Sequence, residues 1–358
     1  MTRPADGKRV EHSSVIGVVS AYPKLDDAWA EVTRRKLDRS QTLATGSAVT
    51  FEELVHQYRQ TSMKKLAYST QLVYIHIIDN YLTPRWGQDS ALEIQPVEIE
   101  QWLGTFTLAN ASKSKLLKTM STIYKRAQKY GLIPRTQEAN PCIWVDQTAQ
   151  SDYEAITLTP KQSTDIIAVL PLDVQTLTIL IAGTGLRISE ALALKWSDID
   201  YTAQRIYIRR AWVKQRIGET KTKASRSHVP CSPLLVGFLQ AWREATTYPK
   251  PGDWVFASRR KLGKEPRRAD ALTQLYLRPA AIAAGVPLAT GQRFGFHTFR
   301  HSLSSALVNS GTDIKTVQAL LRHADASTTL GIYTHASEAN KLVAQAEMME
   351  RLFVGTVQ

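Results

Sequence analysis

Five segments in the second half of the chain each place a chemically reactive side chain beside a glycine or at a predicted helix end or turn. They are "GTGLRISEALALKW" with Arg187 and Glu190, "GETKTKASRSHVP" with Lys221, "FHTFRHS" with His297 and Arg300, "LLRHADAS" with His323, and "GIYTH" with Tyr333. Each residue taken alone has an ordinary structural explanation. Together they supply a phenolic nucleophile, two guanidinium forks that match phosphate, two imidazoles and an ammonium group.

The order and spacing of these motifs resemble the tyrosine recombinase (phage integrase) family. The resemblance covers roughly residues 50 to 350 and rests on four features: the G-T-G-L-R-x-S-E box, the K-T-K-A-S turn before V-P, the H-x-x-R box, and L-L-x-H followed ten residues later by tyrosine. Phe299 stands where the family usually has leucine, an exchange of one apolar residue for another. The resemblance implies a site-specific recombinase that cleaves and rejoins DNA through a 3′-phosphotyrosine intermediate and a Holliday junction.

Each reactive group then has a role that its chemistry fits. Tyr333 supplies the nucleophilic oxygen, which is weak while the phenol keeps its proton. Arg187 and Arg300 neutralise the non-bridging phosphate oxygens, and His297 and His323 donate to the phosphate or carry a proton. In the family pattern Lys221 protonates the departing 5′ oxygen and Glu190 supports the arginine. Lys223 and Lys214 remain alternatives for the acid.

Two other functions use overlapping features of the sequence. A type IB topoisomerase shares the phosphotyrosine step but only relaxes supercoils, and a DNA-binding regulator keeps the fold without cleavage. A metal site at His297 and His301 lacks the glutamate of H-E-x-x-H and any further ligand cluster. No Walker loop or dinucleotide fingerprint is present, so we expect neither a cofactor nor a metal.

Composition favours a polyanionic partner in the cytoplasm. The 358 residues carry a formal net charge of +13 and the pI is near 9.7, and clustered cations displace counterions from nucleic-acid phosphates. No apolar run long enough to span a membrane and no secretory signal is visible, so we expect a cytoplasmic, nucleoid-associated protein with no membrane partner. The resemblance implies double-stranded DNA with inverted core half-sites, a homotetramer on DNA from free monomers, and an accessory DNA-bending or directionality protein.

The elements that position these residues suggest a multidomain, mainly α-helical chain. We expect a helical core-binding domain and an α+β catalytic domain of the tyrosine recombinase type with a small antiparallel sheet. The expected divisions are an N-terminal arm over 1–47, partly disordered, the helical DNA-binding domain over 48–135, a linker over 136–158, the catalytic domain over 159–337, and a C-terminal tail helix over 338–358.

Local signals predict where the main elements begin and end. Thr50 and Glu53 form a capping box for a first helix, and a second helix is expected to be capped at Ser69 and broken by Pro84. "RIYIRRAWVKQR" and "SRSHVPCSP" are expected to be two strands joined by the turn "IGETKTKA". A long basic helix is expected to stop at Gly131, and its candidate DNA-binding lysines are Lys113, Lys115, Lys118, Lys125 and Lys129.

The tail has an apolar face that must be buried somewhere. Its members recur at helical spacing and are Leu342, Val343, Ala346, Met349, Leu352 and Phe353. Packing on the same domain is one possibility. The family resemblance implies the other, in which the tail docks on the adjacent protomer and links four subunits in a ring.

Overall fold

The computed structural model describes residues 49–146, 155–219, 228–289 and 292–322, with isolated positions at 24, 31, 345 and 346. The chain divides into two compact units between Tyr153 and Glu154. Each unit has its own apolar core. Within the described ranges no helix is long and apolar enough to cross a membrane. The predicted arm over 1–47 and tail over 338–358 lie almost entirely outside the described residues.

The first unit is built from α-helices. They are α1 (Phe51–Thr61), α2 (Tyr68–Ile77), α3 (Thr83–Trp86), α4 (Pro96–Gly104) and α5 (Asn110–Tyr130), with short 3₁₀ turns at Met63–Lys65 and Pro141–Trp144. Large aromatic side chains fill the centre, among them Phe51, Tyr58, Trp86 and Tyr124, all essentially inaccessible to solvent. The hydroxyl of Tyr124 donates to the carbonyl of Ala91 at 2.8 Å, which satisfies the one polar atom of that buried ring.

The capping signals of the first unit are partly confirmed. Thr50 and Glu53 make the predicted reciprocal capping box at α1, and Gly131 ends α5 with a φ of +76°. The prediction for α2 was wrong at both ends. The N-cap is Ala67, two residues before the predicted Ser69, and it makes no side-chain cap bond; a π-helical turn over Ile78–Leu82 carries the helix into α3. Pro84 is the second residue of α3 and follows this π-helical turn directly, so the proline does not end the helix.

The second unit is mixed. Its helices are α6 (Pro160–Ala168), α7 (Leu172–Thr184), α8 (Ile188–Ala191), α9 (Pro233–Ala245), α10 (Ala269–Leu272), α11 (Arg278–Ala283), α12 (Phe296–Asn309) and α13 (Ile314–Leu321). A π-helical turn over Thr273–Leu277 joins α10 to α11. Helix α7 is apolar on all sides and packs against both α9 and α12, so it forms the centre of this core.

Two small antiparallel sheets complete this unit. The strands are β1 (Ile199–Asp200), β2 (Arg205–Tyr207), β3 (Arg210–Val213), β4 (Arg216–Glu219) and β5 (His228–Pro230). One sheet has the order β1-β2-β5, with Ile206 opposite Val229, and the other is the hairpin of β3 and β4, with Trp212 opposite Ile217. A mainly helical unit with small antiparallel sheets confirms the fold class.

The predicted strand pair was wrong in detail. "RIYIRRAWVKQR" forms two strands, and Ile217 and Gly218, expected in the turn, pair in β4. The reversal falls at Lys214 and Gln215 instead, where φ is +50° and +59°. Two consecutive residues with positive φ make the tight hairpin turn whose twist matches that of the strands, although neither residue is a glycine.

The segment expected to be a linker supplies apolar residues to both cores. Ala139, Cys142 and Val145 are buried in the first unit, and Leu158 is buried in the second. The backbone N–H of Leu158 donates to the hydroxyl of Ser302 on α12 at 2.8 Å. The part of 136–158 that remains between the two cores is therefore shorter than the sequence suggested.

Candidate active site

Three helix ends meet in the second unit and bring together residues far apart in sequence. Helix α7 ends at Gly185 and α8 begins just after Arg187, while α12 carries His297, Arg300 and His301 in its first half. Helix α13 ends at Leu321. Because α7 packs along α12, the loop after α7 lies beside the start of α12.

Gly185 holds the three helix ends close together. Its φ of +66° suits glycine, and a Cβ at this position would lie 2.6 Å from Cδ2 of Leu321. The buried guanidinium of Arg300 donates from Nη1 to the carbonyl of Gly185 and from Nη2 to the carbonyl of Leu321. Arg300 therefore ties the end of α7 to the end of α13, and these two bonds use two of its five N–H groups.

Glu190 is a buried carboxylate that pairs with two arginines. Its Oε1 accepts from Nη1 of Arg187 at 3.1 Å, and its Oε2 accepts from the backbone N–H of Arg187 at 3.0 Å. Oε2 also accepts from Nη2 of Arg322, which follows α13. The Glu190 side chain is 5% exposed and that of Arg187 is 38% exposed. The bonds to Glu190 therefore fix the position of Arg187, while part of its side chain stays accessible to solvent.

Burial and the cluster of cations lower the pKa of several of its members. Burial, together with the charges of Arg187 and Arg322, lowers the pKa of Arg300 to about 10, so Arg300 stays charged at neutral pH. Burial against the protein and then the nearby charges of His301, Arg300 and Arg187 lower the pKa of His297 to about 4. His297 is nevertheless exposed on one side, so water there weakens the effect of this shift on stability.

The predicted site residues divide into those that the structure brings together and those beyond the described ranges. Arg187, Glu190, His297 and Arg300 share one site. The remaining predicted members, Lys221, His323 and Tyr333, lie outside the described residues, as does the alternative acid Lys223. Lys214, the other alternative, lies in the turn between β3 and β4.

The two histidines of "HTFRH" lie on one face of α12. The ring centroids of His297 and His301 are 4.8 Å apart and the rings are nearly perpendicular. No cluster of three or more His, Cys, Asp or Glu residues that would hold a metal ion occurs in the part of the chain that the structure describes. The pKa of His301 is also lowered, by burial and by Arg300.

Sequence reasoning missed Arg322. It occupies the position after α13 with a φ of +52°, where a glycine is the usual residue. The signal in the sequence was an arginine immediately before His323. Its partner Glu190 is 132 residues away, and no local pattern predicts that pairing.

The predicted basic face of α5 is a narrower stripe than the sequence suggested. Lys115, Lys118, Lys125 and Lys129 are exposed and fall within one side of the helix at 100° per residue. Lys113 is half-buried and points to nearly the opposite side. The other side of α5 carries the buried residues of the core. The lysine stripe, defined as these four exposed lysines, therefore faces away from the core.

The described side chains of the site suit an anionic ligand. Arg187 and Arg322 share one carboxylate and the charged Arg300 lies nearby, so the cluster has an excess of positive charge at neutral pH. Guanidinium groups bind phosphate oxygens through paired N–H donors. Neutral His297 beside them has one N–H donor and one acceptor nitrogen, and its tautomer decides which ring nitrogen donates.

The known proteins that the chain resembles are integrases and tyrosine recombinases. The profile of the phage integrase family matches residues 149–340. Tyrosine recombinase XerC of Pediococcus pentosaceus is 26% identical over 315 residues, which cover 80% of this chain and 94% of the relative. The ICEBs1 integrase of Bacillus subtilis is 25% identical over 369 residues, which cover 98% and 94%. Tyrosine recombinase XerD of Rhizobium meliloti is 32% identical over 177 residues, about half of each chain.

Solved structures share the fold at low sequence identity. The Tn1549 transposon integrase in complex with a circular intermediate DNA superposes with a TM-score of 0.69 at 19% identity, covering 85% of this chain and 99% of the other. A lambda integrase dimer bound to a core site gives a TM-score of 0.62 at 19% identity, covering 79% and 95%.

Proposed function

The chain belongs to the phage integrase family, and from that membership we propose that Tyr333 cleaves DNA at a phosphate held by Arg187 and Arg300. The protein is a site-specific tyrosine recombinase that acts on DNA. The observation that carries the residue assignment is a buried carboxylate, Glu190, paired with Arg187 and Arg322, with the charge of Arg300 and the ring of His297 close by. Membership in the family supports DNA strand transfer, and the cationic cluster and the tyrosine motif support the same reaction.

The proposed reaction is a transesterification. The phenolic oxygen of Tyr333 forms a bond to phosphorus, and the bond from phosphorus to the 5′ oxygen breaks. Neutral His297 or His323 accepts the phenolic proton, and Lys221 gives a proton to the departing 5′ oxygen, with Lys223 as the alternative donor. The reverse of these steps, with a 5′ hydroxyl from the partner duplex, rejoins the strands through a Holliday junction. The number of phosphoester bonds is conserved, so no external energy source is needed.

Arg187 and Arg300 stabilise the negative charge that grows on the phosphate. Glu190 orients Arg187, as its two bonds to that residue support. Arg300 is fixed by two carbonyls and presents its charge from within the protein. Such preorganised charge costs no rearrangement when the transition state forms.

The proposed partners rest on the basic charge of the protein and on what the family resemblance implies. The lysine stripe of α5 binds the phosphates of double-stranded DNA with inverted core half-sites, since four aligned exposed cations match a polyanion. Free monomers assemble into a homotetramer on DNA, and an accessory DNA-bending or directionality protein assists them. The substrate lies in the cytoplasm, at the nucleoid.

Covalent trapping tests this function directly. The probe is a library of duplexes with randomised core sequences and a nick beside the scissile position, so that the short released strand diffuses away. Wild-type protein should form DNA complexes that survive denaturation, and sequencing the trapped DNA identifies the site. Tyr333→Phe should bind the same DNA and trap none, because only the nucleophilic oxygen is lost. Tyr207→Phe, in β2, is the matched control and should trap DNA normally.

The trapped sequence then separates the recombinase from the two alternatives. Supercoiled plasmids with two copies of the site should yield recombinant products. Relaxed circles without recombinants would indicate a topoisomerase, and binding without cleavage would indicate a regulator. Normal trapping by Tyr333→Phe would overturn the assignment of the nucleophile.

A further inference from the structure

Arg322 is a buried charged residue in a conformation that a non-glycine residue rarely adopts. Its φ of +52° and ψ of +48° place it in the left-handed region directly after α13, and its N–H donates to the carbonyl of Ala319 at 3.1 Å. Glycine takes this conformation without strain, whereas any other side chain raises its energy. The side chain is only 6% exposed. An arginine at this position therefore needs a compensating interaction.

That interaction is with Glu190. Nη2 of Arg322 donates to Oε2 of Glu190, while Nη1 is buried and has no hydrogen-bond partner among the residues that the structure describes. Oε1 of the same carboxylate holds Nη1 of Arg187. Glu190 thus lies between a partly exposed arginine just before α8 and an arginine just after α13 whose side chain is buried.

The charges of this triad decide how strongly Arg187 acts on a phosphate. With Arg187 alone, Glu190 would form a neutral pair and would take up the positive charge that a phosphate needs. Arg322 adds a second cation on the buried side of the carboxylate. The pair of arginines then keeps a net positive charge, and the nearby Arg300 increases it. Attack on a phosphodiester adds negative charge to its oxygens, so this excess matters most in the transition state.

We propose that Arg322 is a positioning residue for DNA cleavage, which neutralises Glu190 and so leaves the charge and the open N–H groups of Arg187 to the scissile phosphate. This inference rests on the proposed function. Arg322 itself is buried and does not need to touch the DNA. A purely structural role, in which the pair only fastens α13 to α8, would affect folding and would lower every activity equally.

The variant Arg322→Gly tests the proposal with little backbone strain, because glycine favours the left-handed conformation. Leu262→Gly is its matched control. Leu262 also follows a helical turn with a positive φ, of +50°, and its N–H also bonds back three residues, but its side chain is 75% exposed and away from the site. Both variants are assayed for thermal unfolding, for DNA binding by gel shift and for covalent trapping on the nicked substrate.

The decisive comparison uses two substrates that differ only at the scissile phosphate. One has the ordinary phosphodiester, and the other has a methylphosphonate, which carries no negative charge. Arg322→Gly should bind DNA like the wild type and cleave the phosphodiester at least about tenfold more slowly, since misplaced catalytic groups cost up to about 100-fold. The methylphosphonate carries no negative charge and needs less charge neutralisation by the protein. The factor by which its cleavage slows should therefore be no more than about a third of the factor for the phosphodiester. Leu262→Gly should match the wild type on both.

Unchanged cleavage by Arg322→Gly, or an equal slowing on both substrates, would overturn the inference while the proposed function stands. If the wild type formed no covalent complex with the phosphodiester or with the methylphosphonate, the proposed function would be overturned instead. If Arg322→Gly does not fold, Arg322→Gln keeps a hydrogen-bond donor to Glu190 without the charge. It should show the same selective slowing on the phosphodiester, and an equal slowing on both substrates would count against the inference.

Discussion

Arg187 combines two properties that a phosphate-binding residue needs, since its guanidinium is held from behind and open in front. The bonds to Glu190 fix its direction, and more than a third of its side chain remains accessible. A guanidinium can use one N–H group on the carboxylate and others on the phosphate, whereas an ammonium group acts as a point charge. The identity of the residue should therefore matter as much as its charge.

Arg187→Lys should be nearly as inactive as Arg187→Ala in the cleavage step. The expected loss is about 100-fold or more in the single-turnover rate of covalent complex formation, on the scale measured for a lost oxyanion donor. DNA binding by gel shift should change little. A lysine variant that kept more than about a tenth of the wild-type rate would contradict a paired-donor role for Arg187.

His297 should remain neutral at mildly acidic pH. Burial and the neighbouring cations lower its pKa to about 4. The pKa of a histidine in the unfolded chain is about 6.5. Between these values the unfolded state binds more protons, so the stability that neutral His297 contributes is fully present above the unfolded pKa and is lost as the pH falls toward the folded one. NMR titration of the ring measures its pKa, and His297→Gln should flatten the pH dependence of urea unfolding. An ordinary histidine pKa would contradict this electrostatic description of the site.

The reactive groups could be chosen from the sequence because chemistry depends on residue type and motif spacing. Arg187, Glu190, His297 and Arg300 were all identified in that way, and the structure brings them together. Arg322 could not be assigned, since its role depends on a partner 132 residues away. Only tertiary packing of α13 against the end of α7 makes that contact.

At the scale of elements, helix α5 presents one side to the core and the other to the proposed DNA contact. Its buried side completes the core of the first unit, and the lysine stripe faces away from it. If each lysine of the stripe contacts one phosphate, each contributes a slope of about −0.9 to the dependence of log binding constant on log salt concentration. The stripe should then account for much of the salt dependence of binding.

Replacing all four lysines of the stripe by glutamine should make the salt slope of DNA binding shallower by up to about 3.6, which is about 0.9 for each lost contact. Fluorescence anisotropy at several salt concentrations with Tyr333→Phe protein measures binding without cleavage. Lys113→Gln is the matched control on the same helix and should leave the slope unchanged. A slope unaffected by the quadruple change would show that α5 does not contact DNA.

Caps and helix stops were predictable because they depend on neighbouring residues. Thr50 with Glu53 and Thr159 with Gln162 form capping boxes that can be read directly from the spacing. The hairpin turn at Lys214 and Gln215 was missed because neither residue is typical of positive φ. There the pairing of β3 with β4 overrides local preference.

At the scale of the whole molecule, the chain contains two units whose cores are separate. We propose that the first unit binds DNA, that the second cuts it, and that recombination requires four protomers acting in order. The tail over 338–358 is the proposed link between protomers. Gln345 and Ala346 are the described residues of this segment, and both are helical and exposed.

Deleting residues 340–358 should leave binding to a half-site intact, leave some cleavage of the nicked substrate, and abolish recombination between two sites. A contact that passes from each protomer to the next closes a ring, so its loss removes assembly without removing the monomer's own contacts to DNA. Gel shifts and plasmid recombination assays on the truncated protein measure both properties. Recombinant products from the truncated protein would show that the tail packs on its own unit.

The close approach at Gly185 also limits how this enzyme can be altered by directed evolution toward new target sites. A methyl group there would meet Leu321 at 2.6 Å and Leu303 at 3.3 Å. Any other residue is also strained at the φ of +66°, and the carbonyl of Gly185 is one of the two that hold Arg300, whatever DNA sequence the variant is selected to recognise. A saturation library at this codon should return glycine among active clones, so randomisation is better spent on positions outside the junction of α7, α12 and α13.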